Sequence, residues 1–136
     1  VIGPDRHWNE SHDVTDNVIP EGLVKLDLLK GRVSTMIKNE AYKDFYMHRA
    51  GHWLGLDVHD VGDYRVDDEW RLLEPGMVLT VEPGIYIAPD NKKVPARWRG
   101  IGVRIEDDVA VTAEGNEVLT AELPKTASDI EAIMAA

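Results

Sequence analysis

Apolar positions near helical spacing open the chain. Val14, Val18, Ile19, Leu23, Leu26 and Leu29 follow that spacing and predict an amphipathic helix. Residues 1–12 before it are polar and read as a loop, with Ser11 or Asp13 as N-cap. Pro20 falls inside the pattern and should kink or split the helix, because proline has no N–H for the preceding turn. Lys30-Gly31 should end it, glycine supplying a left-handed C-terminal residue. Val33, Met36 and Ile37 mark one face of a second, shorter helix over 33–39.

The pattern then turns to strands. Phe45-Tyr46-Met47 reads as a strand, and residues 61–76 as a charged, turn-rich stretch. Met77 to Val81 is the clearest strand, apolar and β-branched. Glu82-Pro83-Gly84 stops it, and Ile85-Tyr86-Ile87 resumes as another. Residues 88–100 read as a surface loop. Gly102 to Asp108 alternates apolar and polar, which predicts a half-buried strand continuing through Val109 to Thr112. Ser128 and Glu131 form a capping box for a terminal helix, Asp129 to Met134. Helices first and strands later, without repeats, predict a single α+β layer fold.

Composition narrows the function classes. The net charge of −10 disfavours nucleic acid and anionic membrane as partners. No apolar run is long enough to span a bilayer. With no cysteine there is neither a disulfide nor a thiolate metal site, which agrees with a reducing compartment. Any metal must therefore take His, Asp or Glu ligands.

Those ligands are concentrated. His48-Arg49-Ala50-Gly51-His52-Trp53-Leu54-Gly55-Leu56-Asp57-Val58-His59-Asp60 holds three of the five histidines. Its glycines at 51 and 55 allow close approach of backbone or ligand. His52, with Glu82 at a strand end and Glu106 inside a strand, makes a hard-cation set for manganese, cobalt or zinc. Arg104, two residues before Glu106, should share its strand face and pair with it or with a substrate carboxylate. His7 and His12 read as surface residues, and the four tryptophans as packing or interface residues. Asp57, Asp60, Asp107 and Asp108 read as turn caps or supports for the ligands.

Three blocks together resemble aminopeptidase P (Xaa-Pro aminopeptidase) of the M24 metallopeptidase family. They are the histidine stretch from His52 to Gly62, Leu73 to Gly84, and Arg99 to Asp108, in family-like order and spacing. The resemblance runs from about residue 11 to residue 131. It implies a pita-bread (creatinase/aminopeptidase-like) α+β fold, with residues 1–136 as the C-terminal segment of the catalytic domain. It also implies two divalent metal ions, Mn2+ first and Co2+ or Zn2+ as alternatives. By the same resemblance His52, Glu82 and Glu106 bind metal, and Glu82 also shuttles a proton. His59 contacts substrate and oxyanion, and His48 and Arg104 line the substrate site. The implied reaction releases the N-terminal residue of a proline-containing Xaa-Pro peptide, by attack of a metal-bridged hydroxide.

The family's two further metal-binding aspartates lie on an upstream hairpin that this chain does not contain. Asp5 and Asp16 have the family's separation but the wrong context. The chain is therefore expected to be a fragment, weak in metal binding and inactive as a peptidase on its own. A cytoplasmic homo-oligomeric parent enzyme is the implied setting. The alternatives are prolidase, which cleaves Xaa-Pro dipeptides with the same ligands, and a non-catalytic pita-bread module that binds peptides or proteins.

Overall fold

One hairpin organises the molecule. The computed structural model describes residues 1–135. Strands β3 (Val78–Val81) and β4 (Gly84–Tyr86) form one arm; β5 (Gly102–Arg104) and β6 (Asp107–Thr112) form the other. Val81 pairs with Asp107 and Gly84 with Arg104, so both antiparallel ladders share one register. The regular ladder lapses over Glu82-Pro83 and Ile105-Glu106. Pro83 has no N–H to offer there, and only a 3.4 Å bond from Ile105 N–H to the Pro83 carbonyl spans the gap. Glu106 thus sits at a break between two strands, not within the continuous one the alternation predicts.

Partners flank the hairpin on both edges. β7 (Gly115–Val118) pairs with β6. On the other side, residues 50–54 run beside β3 as an irregular edge. Glu82 and Thr80 donate N–H bonds to the carbonyls of Ala50 and His52, and Leu54 N–H reaches Val78. A side chain at residue 51 would collide with the Thr80 carbonyl, so this edge requires Gly51. A two-stranded ribbon, β1 (Arg65–Val66) with β2 (Glu69–Trp70), follows.

The helices differ from the sequence pattern at their ends. Helix α1 spans Glu10–Lys25 and begins earlier than expected, with Asn9 as N-cap. The Glu10 carboxylate accepts the His7 N–H at 2.8 Å. Pro20 does not split the helix; its ring is buried. The left-handed residue closing α1 is Asp27, not Gly31. Asp tolerates that conformation better than most residues. Helix α2 spans Val33–Lys38. Helix α3, Ala127–Met134, is capped by Thr126, which accepts the Asp129 N–H; Ser128 is not its cap.

Phe45 and Tyr46 form no strand. They follow a 3-10 turn (Ala41–Asp44) and are buried consecutively instead of alternating. The loop 88–100 is not wholly superficial, since Val94 is buried in it. The predicted entry loop is also tied down: Trp8 N–H bonds to the Arg71 carbonyl, and Leu73 N–H to Arg6.

Two cores result. One packs Leu23, Leu28, Tyr42, Phe45, Tyr46, Ile87 and Val94. The other packs Trp8, Trp53, Leu73, Leu79 and Val111. Tyr46, two residues ahead of the histidine stretch, lies in the first core and Trp53, within it, in the second, so both cores anchor it. No helix among the described residues is long and apolar enough to cross a membrane.

Candidate metal centre

Backbone pairing brings the candidate ligands together. The irregular edge of residues 50–54 is hydrogen-bonded beside β3, so His52 and Glu82 project near one another. The hairpin register places Glu106 across from Glu82. One ligand atom each from His52, Glu82 and Glu106 lies within 4.8 Å of the others. A cation with bonds of about 2.1 Å holds its ligands roughly 3–4 Å apart, so these side chains fit one with small adjustments.

The protonation pattern supports the fit. His52 Nδ1 lies 2.9 Å from the Trp53 carbonyl, which can only accept, so Nδ1 carries the proton. With Nδ1 so held, Nε2 faces Glu82 Oε1, 3.2 Å away. Two acceptors at that distance repel unless a proton or a cation lies between them. A metal-ligating histidine usually donates its other ring N–H to a carboxylate or backbone carbonyl, as His52 Nδ1 does to Trp53.

Glu82 is nearly buried, which is costly for a carboxylate unless it is compensated. The Thr80 hydroxyl donates to Oε1 at 3.2 Å, and Arg104 meets Oε2 at 3.2 Å. Arg104 therefore pairs with Glu82, not with Glu106 beside it on the chain. Glu106 itself is exposed.

His59 is exposed, its ring edge-on to His52 with centroids 4.4 Å apart. His48 stands apart from the ligand cluster. Its Nε2 lies 3.0 Å from the Tyr86 hydroxyl. Asp5 and Asp16 join no such cluster among the described residues. His7 is exposed as expected, whereas His12 is half-buried. Asp60 caps a turn by accepting the Val61 N–H, and Asp107 accepts from Thr120 and Lys125. The Thr120 and Lys125 contacts outweigh the opposing effect of burial and hold the Asp107 carboxyl below its ordinary pKa.

Two residues of this site escaped the sequence reading. Thr80 accepts the His52 N–H at 3.0 Å while donating to Glu82, so one hydroxyl joins both ligands. Its signal was a lone polar residue in an apolar strand, two positions before Glu82. Tyr86 lies four positions after Glu82 on the same arm, the spacing of a shared strand face.

Residues 2–113 match the model of metallopeptidase family M24. The chain belongs to this family. It is 53% identical over 134 residues to the Xaa-Pro aminopeptidase of Haemophilus influenzae, covering 98% of the chain and 31% of that relative. It is 58% identical over 119 residues to the Xaa-Pro aminopeptidase of Escherichia coli, covering 88% of the chain and 26% of that relative. Among solved structures, Pseudomonas aeruginosa aminopeptidase PepP is 69% identical, with a TM-score of 0.95 over 98% of this chain and 30% of that one. Escherichia coli aminopeptidase P bound to the inhibitor Pro-Leu is 52% identical, with a TM-score of 0.89 over 99% and 30%. The chain thus spans less than a third of the length of these M24 relatives, and its α+β pita-bread expectation stands.

Proposed function

We propose that this M24 chain is the C-terminal catalytic segment of an aminopeptidase of the Xaa-Pro type. The convergence of His52, Glu82 and Glu106 carries the reading. It is supported by relatives named Xaa-Pro aminopeptidase at 53% and 58% identity. Divalent cations, manganese in the first instance, supply Lewis acidity and acidify water when bound. His52 Nε2, Glu82 and Glu106 would hold them.

The chain's own residues do the rest. Glu82, buried against Thr80 and Arg104, is placed to carry a proton toward the leaving proline nitrogen. Arg104 keeps the other carboxylate oxygen fixed, and its exposed guanidinium is available to the substrate's downstream groups. His59, projecting beside His52, is placed to donate to the carbonyl oxygen as charge develops there. His48, braced by Tyr86, borders the space for the residue after the scissile bond. The substrate is a peptide with proline at its second position. A cytoplasmic homo-oligomer is the proposed setting, in keeping with the absence of cysteine.

Prolidase is the runner-up. A rat relative named Xaa-Pro dipeptidase is 41% identical over 163 residues, an alignment longer than this chain. The lower identity and the gaps favour the aminopeptidase.

The test is manganese calorimetry with a cleavage assay on Xaa-Pro dipeptides and longer Xaa-Pro peptides. The 136-residue chain and the complete protein that carries it are compared. The complete protein should bind metal and cleave the longer peptides; Glu82→Gln and Glu106→Gln should each lower kcat by at least about a hundredfold. The chain alone should bind weakly and show no turnover. Tight two-metal binding and turnover by the chain alone would sink the segment reading. Preference for dipeptides would establish prolidase instead.

A further inference from the structure

Behind His48 lies a polar array that the proposed reaction does not use. Asp16 and His12 stand one turn apart on α1, with side chains only 21% and 19% exposed. Asp16 Oδ2 accepts the Tyr42 hydroxyl at 2.5 Å and lies 3.7 Å from His12 Nε2. His12 Nδ1 faces the Tyr46 hydroxyl at 3.4 Å. The Tyr46 ring meets the His48 ring edge-on, with centroids 5.0 Å apart. Tyr86 meets the same imidazole at 5.4 Å. A cavity of about 150 Å³ lies among His12, Asp16, Tyr42, Tyr46 and His48.

Both His48 nitrogens are committed. Nδ1 lies 2.7 Å from the Arg49 carbonyl and so donates to it; Nε2 accepts from Tyr86. The tautomer depends on the ring keeping this plane, and the ring is held between Tyr46 and Tyr86. Tyr46 is 1% exposed, so its own placement is set by what lies behind it.

Apolar packing could fill that space at lower cost. Burying a carboxylate is expensive, and Asp16 Oδ1 is buried without a partner. Apolar contact is non-directional, however. A hydroxyl bonded to a fixed imidazole constrains the phenol in a way that packing does not. Burial keeps both phenols protonated, well above the ordinary tyrosine range, with the Asp16 bond adding to this at Tyr42. Burial also lowers the His12 pKa, favouring the neutral ring that can accept from Tyr46.

We propose that Asp16, with His12 and Tyr42, is a positioning group that acts through Tyr46 to fix the plane and tautomer of His48. The inference rests on the reading of His48 as bordering the substrate. Helix α1 is then part of the working site through its hold on His48.

A double-mutant cycle on the complete, manganese-loaded protein tests it, with a tripeptide carrying proline second. Asp16→Asn keeps the shape and removes the charge. It should lower kcat/KM about tenfold. In a His48→Ala background the same change should cost less than about twofold. Tyr46→Phe keeps the ring and removes the link to His12; it should show a smaller loss that also vanishes with His48→Ala. This variant decides the matter if Asp16→Asn does not fold. Equal losses in both backgrounds would mean that the array serves only stability and would overturn the proposal. So would unchanged activity in the single variants.

Nitrogen-15 shifts of the His48 ring give an independent readout. The Nδ1-protonated tautomer should dominate in the unaltered protein and become mixed in Tyr46→Phe. An unchanged tautomer would also overturn the proposal. If the unaltered protein cleaves no Xaa-Pro peptide, the functional reading fails and the nitrogen shifts alone decide the positioning role.

Discussion

A single hydroxyl does more at this site than its size suggests. Thr80 Oγ1 accepts from the His52 backbone and donates to the Glu82 carboxylate, so it sets the spacing of two ligands from one strand. Thr80→Val preserves the β-branched shape and removes both bonds. We expect it to destabilise the protein by about 1–3 kcal/mol, through the unsatisfied buried groups. Metal affinity should fall roughly 10–100-fold, as for other groups that orient ligands. Denaturant melts and manganese calorimetry on one preparation check both. The cluster of His52, Glu82 and Glu106 was legible in the sequence, because histidines and glutamates among glycines and apolar residues carry an obvious chemical signal. Thr80 was not, because threonine is at home in any strand. The partner of Arg104 was not legible: a same-face argument sees neighbours at i and i+2, whereas its carboxylate partner Glu82 comes from the opposite arm.

The docking of α1 should be sensitive to pH. His12 contacts Tyr46 across the α1 interface, and burial holds its folded pKa below the ordinary 6.5; Arg49 and Lys43 push the same way, against Asp16 and Asp13. The folded state therefore binds fewer protons than the unfolded chain between those two values. The contribution is fully present above pH 6.5 and is lost as pH falls through the folded pKa. Unfolding free energy measured from pH 8 to pH 5 should decline on the acid side, and His12→Gln should flatten that decline. An identical slope in both proteins would refute the coupling. The helices, β3 and the closing strands were read at nearly their observed positions, because period and β-branching are local signals. The ends went wrong where another residue took the expected role: Asn9 with Glu10 at the start of α1, Asp27 at its close, Thr126 ahead of α3. Phe45 and Tyr46 misled for a different reason. A short apolar run looks alike whether it lies in a strand or is simply buried on all sides.

At the scale of the whole molecule, exposed apolar residues flank the candidate ligands along the chain. Leu56, Val58 and Val61 follow His52, and Val103 and Ile105 precede Glu106, all of them exposed. Patches of this kind mark contact surfaces. The 136-residue chain by itself should therefore self-associate, and sedimentation velocity should show species heavier than 15.2 kDa at micromolar concentration. Val103→Lys should shift the distribution toward monomer; a monomer without any substitution would show that the patch is too weak to act alone. The shared register of the hairpin bears on how such chains tolerate changes in length. Glu82 and Glu106 face each other because pairing continues on both sides of the gap between them, so their alignment does not depend on the loop that joins the arms. Residues gained or lost near Pro89-Asp90-Asn91 leave that alignment alone. One residue gained or lost between Gly102 and Asp107 turns every following side chain to the opposite face and removes a ligand. Insertions and deletions along this lineage are therefore expected to collect at the loop and stay out of the arms.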